Sequence, residues 1–253
     1  MSDPDSRFGG IGRLYSAEGL ERLRRAKVCV VGIGGVGSWA AEALARSAVG
    51  HITLVDLDDI CVSNINRQLQ ALEGVVGRPK VAIMAERIRA INPACDVRGV
   101  AEFFNQTTAD EILTTPFDWV LDAIDPVADK CLLIARCRQK EIPVISSGGA
   151  GGRRNPLELE IADLARTTHD ALLLQVRKRL REEHGFPRNP KTPFNVPCVF
   201  SREPPIYPSG CEPGARLNCD SGYGAASFVT GAFGLAAASY VVSDIAAGRP
   251  HGN

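Results

Sequence analysis

Val28-Cys-Val-Val-Gly-Ile-Gly-Gly-Val-Gly-Ser38 decides how the chain is read. Val28–Val31 is a short apolar run, and Gly32, Gly34, Gly35 and Gly37 lead from it into an Ala-rich stretch of helical composition. The spacing is G-x-G-x-x-G between a strand and a helix. The first glycine permits a tight turn, the second lets backbone N–H groups approach a phosphate, and the third lets helix and strand pack closely. An anion placed there meets the positive end of the helix dipole. The next strand-like run, His51–Asp56, ends in an acid about twenty residues further on, where such a unit grips a ribose. Together these features predict a nucleotide site and leave open which nucleotide it takes.

Outward from this unit, strand-like and helix-like stretches alternate. A short helix is expected at residues 17–26, with Arg7 and Arg13 in loop-like sequence ahead of it. A helix at 38–48 follows the glycine turn. The segment Leu57–Gln68 is polar, rich in Asn and Asp and without periodicity, and loops just after strand ends of an α/β sheet are where ligands bind. Arg78-Pro-Lys80 opens a helix reaching to Asn92, with Pro79 near its first turn. Further strands are expected at 95–100, 117–122 and 143–146, with helices at 107–113 and 127–140. The last of these strands closes on Ser147-Gly-Gly-Ala-Gly-Gly152.

This alternation predicts an α/β fold: a Rossmann-like, doubly wound, mainly parallel sheet with a C-terminal extension and a long crossover segment. Residues 1–27 form an N-terminal arm and helix, and 28–156 the nucleotide-binding core. Residues 157–253 form a C-terminal part of the same globule. That part holds a strand at 157–161, a basic helix at 170–183, a Pro-rich stretch at 184–220 expected to be irregular, and an apolar helix at 222–243.

Lys+Arg and Asp+Glu both total 29, so no global field favours a polyanion and any such site must be a local patch. The N-terminus carries no basic-then-apolar leader, which points to the cytoplasm. The eight cysteines include no C-x-x-C pair, so no zinc is expected, and in a reducing compartment no disulfides. Residues 222–243 are long and uncharged enough to suggest a membrane span. Their Ala, Gly and Ser content favours a closely packed helix instead, and no membrane partner is expected.

The ordered set Gly32-Ile-Gly-Gly-Val-Gly-Ser38, Asp56-x-Asp58, Ser63-Asn-Ile-Asn-Arg-Gln68, Arg78-Pro-Lys80 and Asp122-Ala-Ile-Asp125 resembles the ATP-dependent adenylating family. That family includes the ubiquitin-activating enzymes and the activators of the molybdopterin and thiazole sulfur carriers. Arg7–Tyr15, Ser147–Gly152, Cys198-Val-Phe-Ser201 and Cys219–Ala226 look like one branch of it, the tRNA threonylcarbamoyladenosine dehydratases. The resemblance implies a bound ATP, with Gly32, Gly34, Gly35 and Gly37 at the phosphates, Asp56 at the ribose, and Asp58 and Asn64 among the nucleotide contacts. It implies Arg67 and Lys80 as cations neutralising the phosphoryl group, Asp125 as the ligand of Mg²⁺, and Arg13 (or Arg7) reaching the ATP of the other subunit in a homodimer. The implied substrate is tRNA carrying threonylcarbamoyladenosine.

The run Arg177, Lys178, Arg179 and Arg181 is a candidate for tRNA contact. Asp122 is expected to support its loop, and Cys198 and Cys219 to be structural thiols. Three other readings compete: a sulfur-carrier adenylating enzyme, weakened by the missing zinc cysteines; an NAD(P)-linked oxidoreductase; and a nucleotide-gated scaffold in a sulfur relay with a cysteine desulfurase.

Overall fold

In the computed structural model, which describes residues 4–189, 191–207 and 223–248, β1 (Lys27–Val31) runs straight into the glycine turn. After α2 (Gly37–Arg46) come β2 (His51–Val55), α3 (Lys80–Ile91), β3 (Asp96–Val100), a single helical turn α4 (Ala109–Ile112) and β4 (Trp119–Asp122). Then follow α5 (Val127–Gln139), β5 (Val144–Ser147), β6 (Leu159–Asp163), α6 (Ala171–Glu183), β7 (Pro197–Ser201) and α7 (Ser227–Ala247). The chain opens with α1 (Pro4–Arg25).

The strands form one sheet in the order β3-β2-β1-β4-β5-β7-β6, parallel throughout except for β6, which runs antiparallel to β7. From β1 the chain winds outward to β3, then returns to lay β4 on the other side of β1. That reversal opens a crevice beyond the carboxyl ends of β1 and β4, where ligands bind in sheets of this kind.

Both faces of the sheet are covered, which is why β1 is apolar from Val28 to Val31 rather than alternating. Val28 and Val30 face a core built with α2, α3 and α7. Cys29 and Val31 face the second core, with α5 and α6. Cys131, Cys137 and Cys198 join Cys29 in that second core. Burial pushes the Cys29 thiol up to about 12 and raises the Cys198 thiol strongly, so these are packing groups and not nucleophiles. Cys219 lies outside the described residues.

Several expectations need correction. The N-terminal arm is helical from Pro4, so Arg7 and Arg13 sit on α1 and not in a loop. At the expected helix start there is instead a break at Ser16, whose φ of 70° stops one helical piece while its hydroxyl accepts the Gly19 N–H (3.2 Å) to cap the next. The strand placed at 157–161 begins two residues later, leaving Leu157 88% exposed in a short turn. The Pro-rich stretch is not irregular throughout: Pro197–Ser201 is a buried strand of the sheet, with proline as its first residue, a position that donates no needed hydrogen bond. The last helix begins at Ser227 rather than 222.

α7 is long and apolar enough to cross a bilayer, yet 50% of its most apolar window is buried within the fold. Its contacts are chiefly with α2, α1 and the sheet.

Candidate active site

The glycine turn is shaped by close approach. Gly32 has φ 89°, and a Cβ on Gly37 would stand 1.8 Å from the Gly32 carbonyl oxygen, so α2 starts in contact with the end of β1. Asp56, at the end of β2, is fastened to this turn. Its carboxylate accepts the Ile33 N–H (2.7 Å) and the Asp58 N–H (2.9 Å). Burial lifts the Asp56 carboxyl above its ordinary value, against the pull of Lys80 and of those two N–H groups.

Lys80 is the first residue of α3 and is buried. Its Nζ lies 2.7 Å from Asp58 and 3.9 Å from Asp56. The intervening loop is drawn in by backbone bonds, with the Lys80 N–H donating to the Asp58 carbonyl (3.0 Å) and the Ile60 N–H to that of Arg78 (2.9 Å). Asp56, Asp58 and Lys80 therefore form one cluster beside the turn, although 21 residues separate Asp58 from Lys80 in the chain.

Arg67 lies on the other side of the turn, its Cγ 3.5 Å from where a Cβ on Gly35 would be. Its backbone is held by the Trp39 indole N–H (3.1 Å) and the Thr230 hydroxyl (3.3 Å), both donating to the Arg67 carbonyl. Its guanidinium donates to the Ser63 carbonyl (2.6 Å) and to Asn66 Oδ1 (3.0 Å). Asn64 is buried, and its Oδ1 accepts the Cys61 N–H (3.1 Å), so it shapes the short turn Val62–Asn64. Gln70 donates to the Ile33 carbonyl (2.8 Å) beneath the turn, and the Ser38 hydroxyl accepts the Leu69 N–H (3.2 Å). Sequence reasoning missed Trp39, Gln70 and Thr230. Only Thr230 carried a signal, as a polar group set within an apolar run; Gln70 lies in a polar stretch and Trp39 at a helix start, where nothing local marks them.

At the end of β4, Asp122 is fully buried. It accepts from Lys130 (3.0 Å), the Ser146 hydroxyl (2.7 Å) and the Ile124 N–H (3.3 Å), while Lys130 also donates to the Ile124 carbonyl (2.9 Å). This network fixes the strand end and leaves Asp122 no room for a metal. Asp125, three residues on, is exposed at the crevice. Among the described residues no three or more His, Cys, Asp or Glu side chains form a metal cage. A lone carboxylate beside a phosphate cradle suits Mg²⁺, which keeps several waters and takes the rest of its oxygens from phosphate.

Beside this crevice, at the end of β5, the glycine segment is clasped by α6. Asp170, the N-cap of α6, accepts the Gly149 N–H (3.0 Å) and the Leu173 N–H (2.9 Å). Arg153, buried and 3.4 Å from Asp170, donates to the Gly149 carbonyl and to that of His169 (3.3 Å). The basic run on α6 divides: Arg177, Lys178 and Arg181 share one concavity, whereas Arg179 is outside it and pairs with Glu183 (2.8 Å). Arg7 donates to the Ile91 carbonyl (2.8 Å) at the far end of α3, and Arg13 is exposed.

Fold and site together define a nucleotide-binding α/β protein, whose glycine cradle at the switch point is flanked by a lysine, an arginine and an exposed carboxylate. The chain belongs to the ThiF family, which it matches over residues 11–243. It is 48% identical to the tRNA threonylcarbamoyladenosine dehydratase of Haemophilus influenzae over 244 residues, covering 95% of this chain and 94% of that protein. The crystal structure of the Escherichia coli tRNA N6-threonylcarbamoyladenosine dehydratase in complex with ATP superposes with a TM-score of 0.89 at 44% identity, covering 96% of this chain and 95% of that one. The AMP complex of the same enzyme gives a TM-score of 0.89 at 45% identity, covering 96% of each chain.

Proposed function

We propose that this protein is an ATP-dependent tRNA threonylcarbamoyladenosine dehydratase. It acts on the threonine carboxylate of the modified adenosine at position 37 of tRNA. A carboxylate is a poor electrophile because oxide does not leave. An oxygen of that carboxylate attacks the α-phosphorus of ATP, and the bond to pyrophosphate breaks. The acyl-adenylate that results carries AMP as its leaving group. The neighbouring carbamoyl group then attacks the acyl carbon, gives up one proton and expels AMP, so the ring closes with net loss of one water. The second step is intramolecular, and the protein contributes mainly by holding its geometry.

One observation carries the reading. The glycine turn, the Asp56–Asp58–Lys80 cluster, Arg67 and Asp125 meet around a single crevice in a chain that aligns along nearly its whole length with the dehydratases. In this reading Gly32, Gly34, Gly35 and Gly37 receive the phosphates, Asp56 holds the ribose, and Asp58 and Asn64 shape the pocket around it. Lys80 and Arg67 oppose charge developing on the phosphoryl group. Phosphoryl transfer is accelerated above all by fixed cations aimed in this way. Mg²⁺ held at Asp125 would neutralise phosphate charge in the same place.

Arg13 belongs to a homodimer in this reading. The first piece of α1 packs on Ala48 and reaches Ile91, both at the sheet edge opposite the crevice, which supports a role for Arg13 at the partner's ATP rather than its own. Arg7, occupied by the Ile91 carbonyl, is the poorer candidate. The setting is the cytoplasm, and a cysteine desulfurase partner is not needed for the chemistry.

Mass spectrometry of nucleosides from threonylcarbamoylated tRNA, incubated with the protein, ATP and Mg²⁺, tests the proposal. The modified adenosine should lose one water, and Lys80→Ala or Asp125→Ala should each lower kcat at least about 100-fold. An unchanged nucleoside with the wild-type protein would reject the reading.

A further inference from the structure

Leu174, Arg177, Lys178, Arg181, Glu182 and Arg188 line a surface concavity of about 520 Å³. Four cations and one carboxylate meet there, in a chain whose positive and negative side chains balance as a whole. Two of the cations are built in. The Arg177 guanidinium donates to the Thr167 carbonyl (2.7 Å) and hydroxyl and to the Leu164 carbonyl (3.3 Å). Arg181 donates to the Pro187 carbonyl (3.1 Å) and lies 5.2 Å from the centre of the Phe194 ring. Lys178 and Arg188 are exposed and turn to solvent. Burial lowers the Arg177 pKa and the nearby Arg181 charge lowers it further, a cost that an anion seated between them would remove.

The concavity also has a direction. The N-cap of α6 grips the Gly149 N–H at the carboxyl edge of the sheet, beside the crevice. From there the helix descends about 1.5 Å per residue, so Arg177 and Arg181 lie roughly 10 and 16 Å from the glycine segment along its axis. Those distances are short enough for the nucleotides flanking a base seated in the crevice to reach the concavity.

We propose that the concavity on α6 seats the phosphate backbone of the RNA strand next to the reacting nucleotide, through Arg177, Lys178, Arg181 and Arg188, with Arg179 taking no part. The inference rests on the tRNA reading above for the identity of the strand. The contacts are to phosphate, so they position the substrate and add affinity without reading sequence.

The test separates the two readings. Binding of a fluorescent, unmodified anticodon stem-loop RNA is measured by anisotropy across a salt series, which needs neither ATP nor turnover. Lys178→Ala/Arg188→Ala should weaken binding about tenfold at 0.1 M salt and reduce the slope of log K against log[salt] by nearly 2, while ATP affinity is unchanged. Lys178→Arg/Arg188→Lys should restore both. Arg179→Ala, on the other side of the helix, should change binding less than about twofold. In turnover on modified tRNA, the double alanine variant should raise KM for tRNA with kcat held.

An unchanged affinity and slope would overturn the proposal and leave an acidic protein surface as the occupant. Equal weakening by Arg179→Ala would also overturn it, since binding would then follow diffuse charge and not the concavity. Failure of the wild-type protein to dehydrate modified tRNA would sink the activity while leaving the RNA-binding result to stand or fall by itself.

Discussion

A methyl group on Gly37 would stand 1.8 Å from the Gly32 carbonyl oxygen, whereas on Gly34 it would meet nothing nearer than Gln68 Nε2 at 4.0 Å. The two glycines answer to different demands. Gly37→Ala must push α2 off β1 and should cost about 3 kcal/mol or more, seen as a large fall in Tm. Gly34→Ala has room in the free protein, so Tm should move by no more than about 1–2 °C. On the proposed reading the methyl then occupies the space the phosphates approach, and KM for ATP should rise about tenfold or more. Differential scanning fluorimetry with and without ATP distinguishes them, and equal falls in Tm would remove the case for Gly34 as a phosphate contact. The motif foretold the packing contact at Gly37, since its spacing assigns the third glycine to close helix–strand approach, while the phosphate approach it assigns to Gly34 awaits this measurement. It did not foretell the Asp122–Lys130 pair. Lys130 sits beside Cys131, Leu133 and Ile134 on the buried side of α5, and a lysine inside such an apolar run was the available sign.

Between elements, Glu42 joins α2 to α3. It is buried and accepts from Arg87 (2.7 and 3.0 Å) and from Arg46 (2.8 Å). Burial pushes its carboxyl up, but the hydrogen bonds and charges of Arg87 and Arg46 outweigh this, and the net position is below the ordinary 4.5. A depressed folded-state pKa means a stabilisation that is complete above 4.5 and fades as pH falls through the folded value. Glu42→Gln should therefore destabilise by about 1–2 kcal/mol near neutrality, the arginines being part-exposed, and the gap to wild type should close on acidification. Urea titrations at several pH values read this directly; a gap that widens toward low pH would refute it. The core strands were legible because parallel strands buried on both faces read as continuous apolar runs. β7 was not, because its five residues lie among prolines, and its pairing with β5 and β6 comes from tertiary contact across the sheet. The first part of α1 was hidden for a related reason: three glycines and a break at Ser16 lower local helix propensity, and packing on Ala48 and the last helix overrides it.

For the molecule as a whole, the position of Arg13 makes a prediction about assembly. If it serves a partner's crevice, Arg13→Ala and Lys80→Ala proteins should each be nearly inactive alone. Mixed and allowed to exchange subunits, they should recover activity toward about a quarter of wild type per total subunit, from the one crevice of each mixed dimer that keeps both residues. No recovery, after exchange is confirmed with differently tagged chains, would place Arg13 at its own crevice or at none.

The carbonyl of Arg67 also carries a consequence for how the protein is born. It is held by Trp39 from α2 and by Thr230 from α7, a helix translated about 160 residues after the loop it steadies. On the ribosome the glycine turn, Asp56 and Lys80 emerge early and begin to fold with the N-terminal half. The arginine waits. Until α7 clears the exit tunnel and docks, a nascent chain carries most of a nucleotide cradle with Trp39 alone holding the Arg67 carbonyl, and if Arg67 acts as proposed, unfinished copies would be poorer at spending ATP.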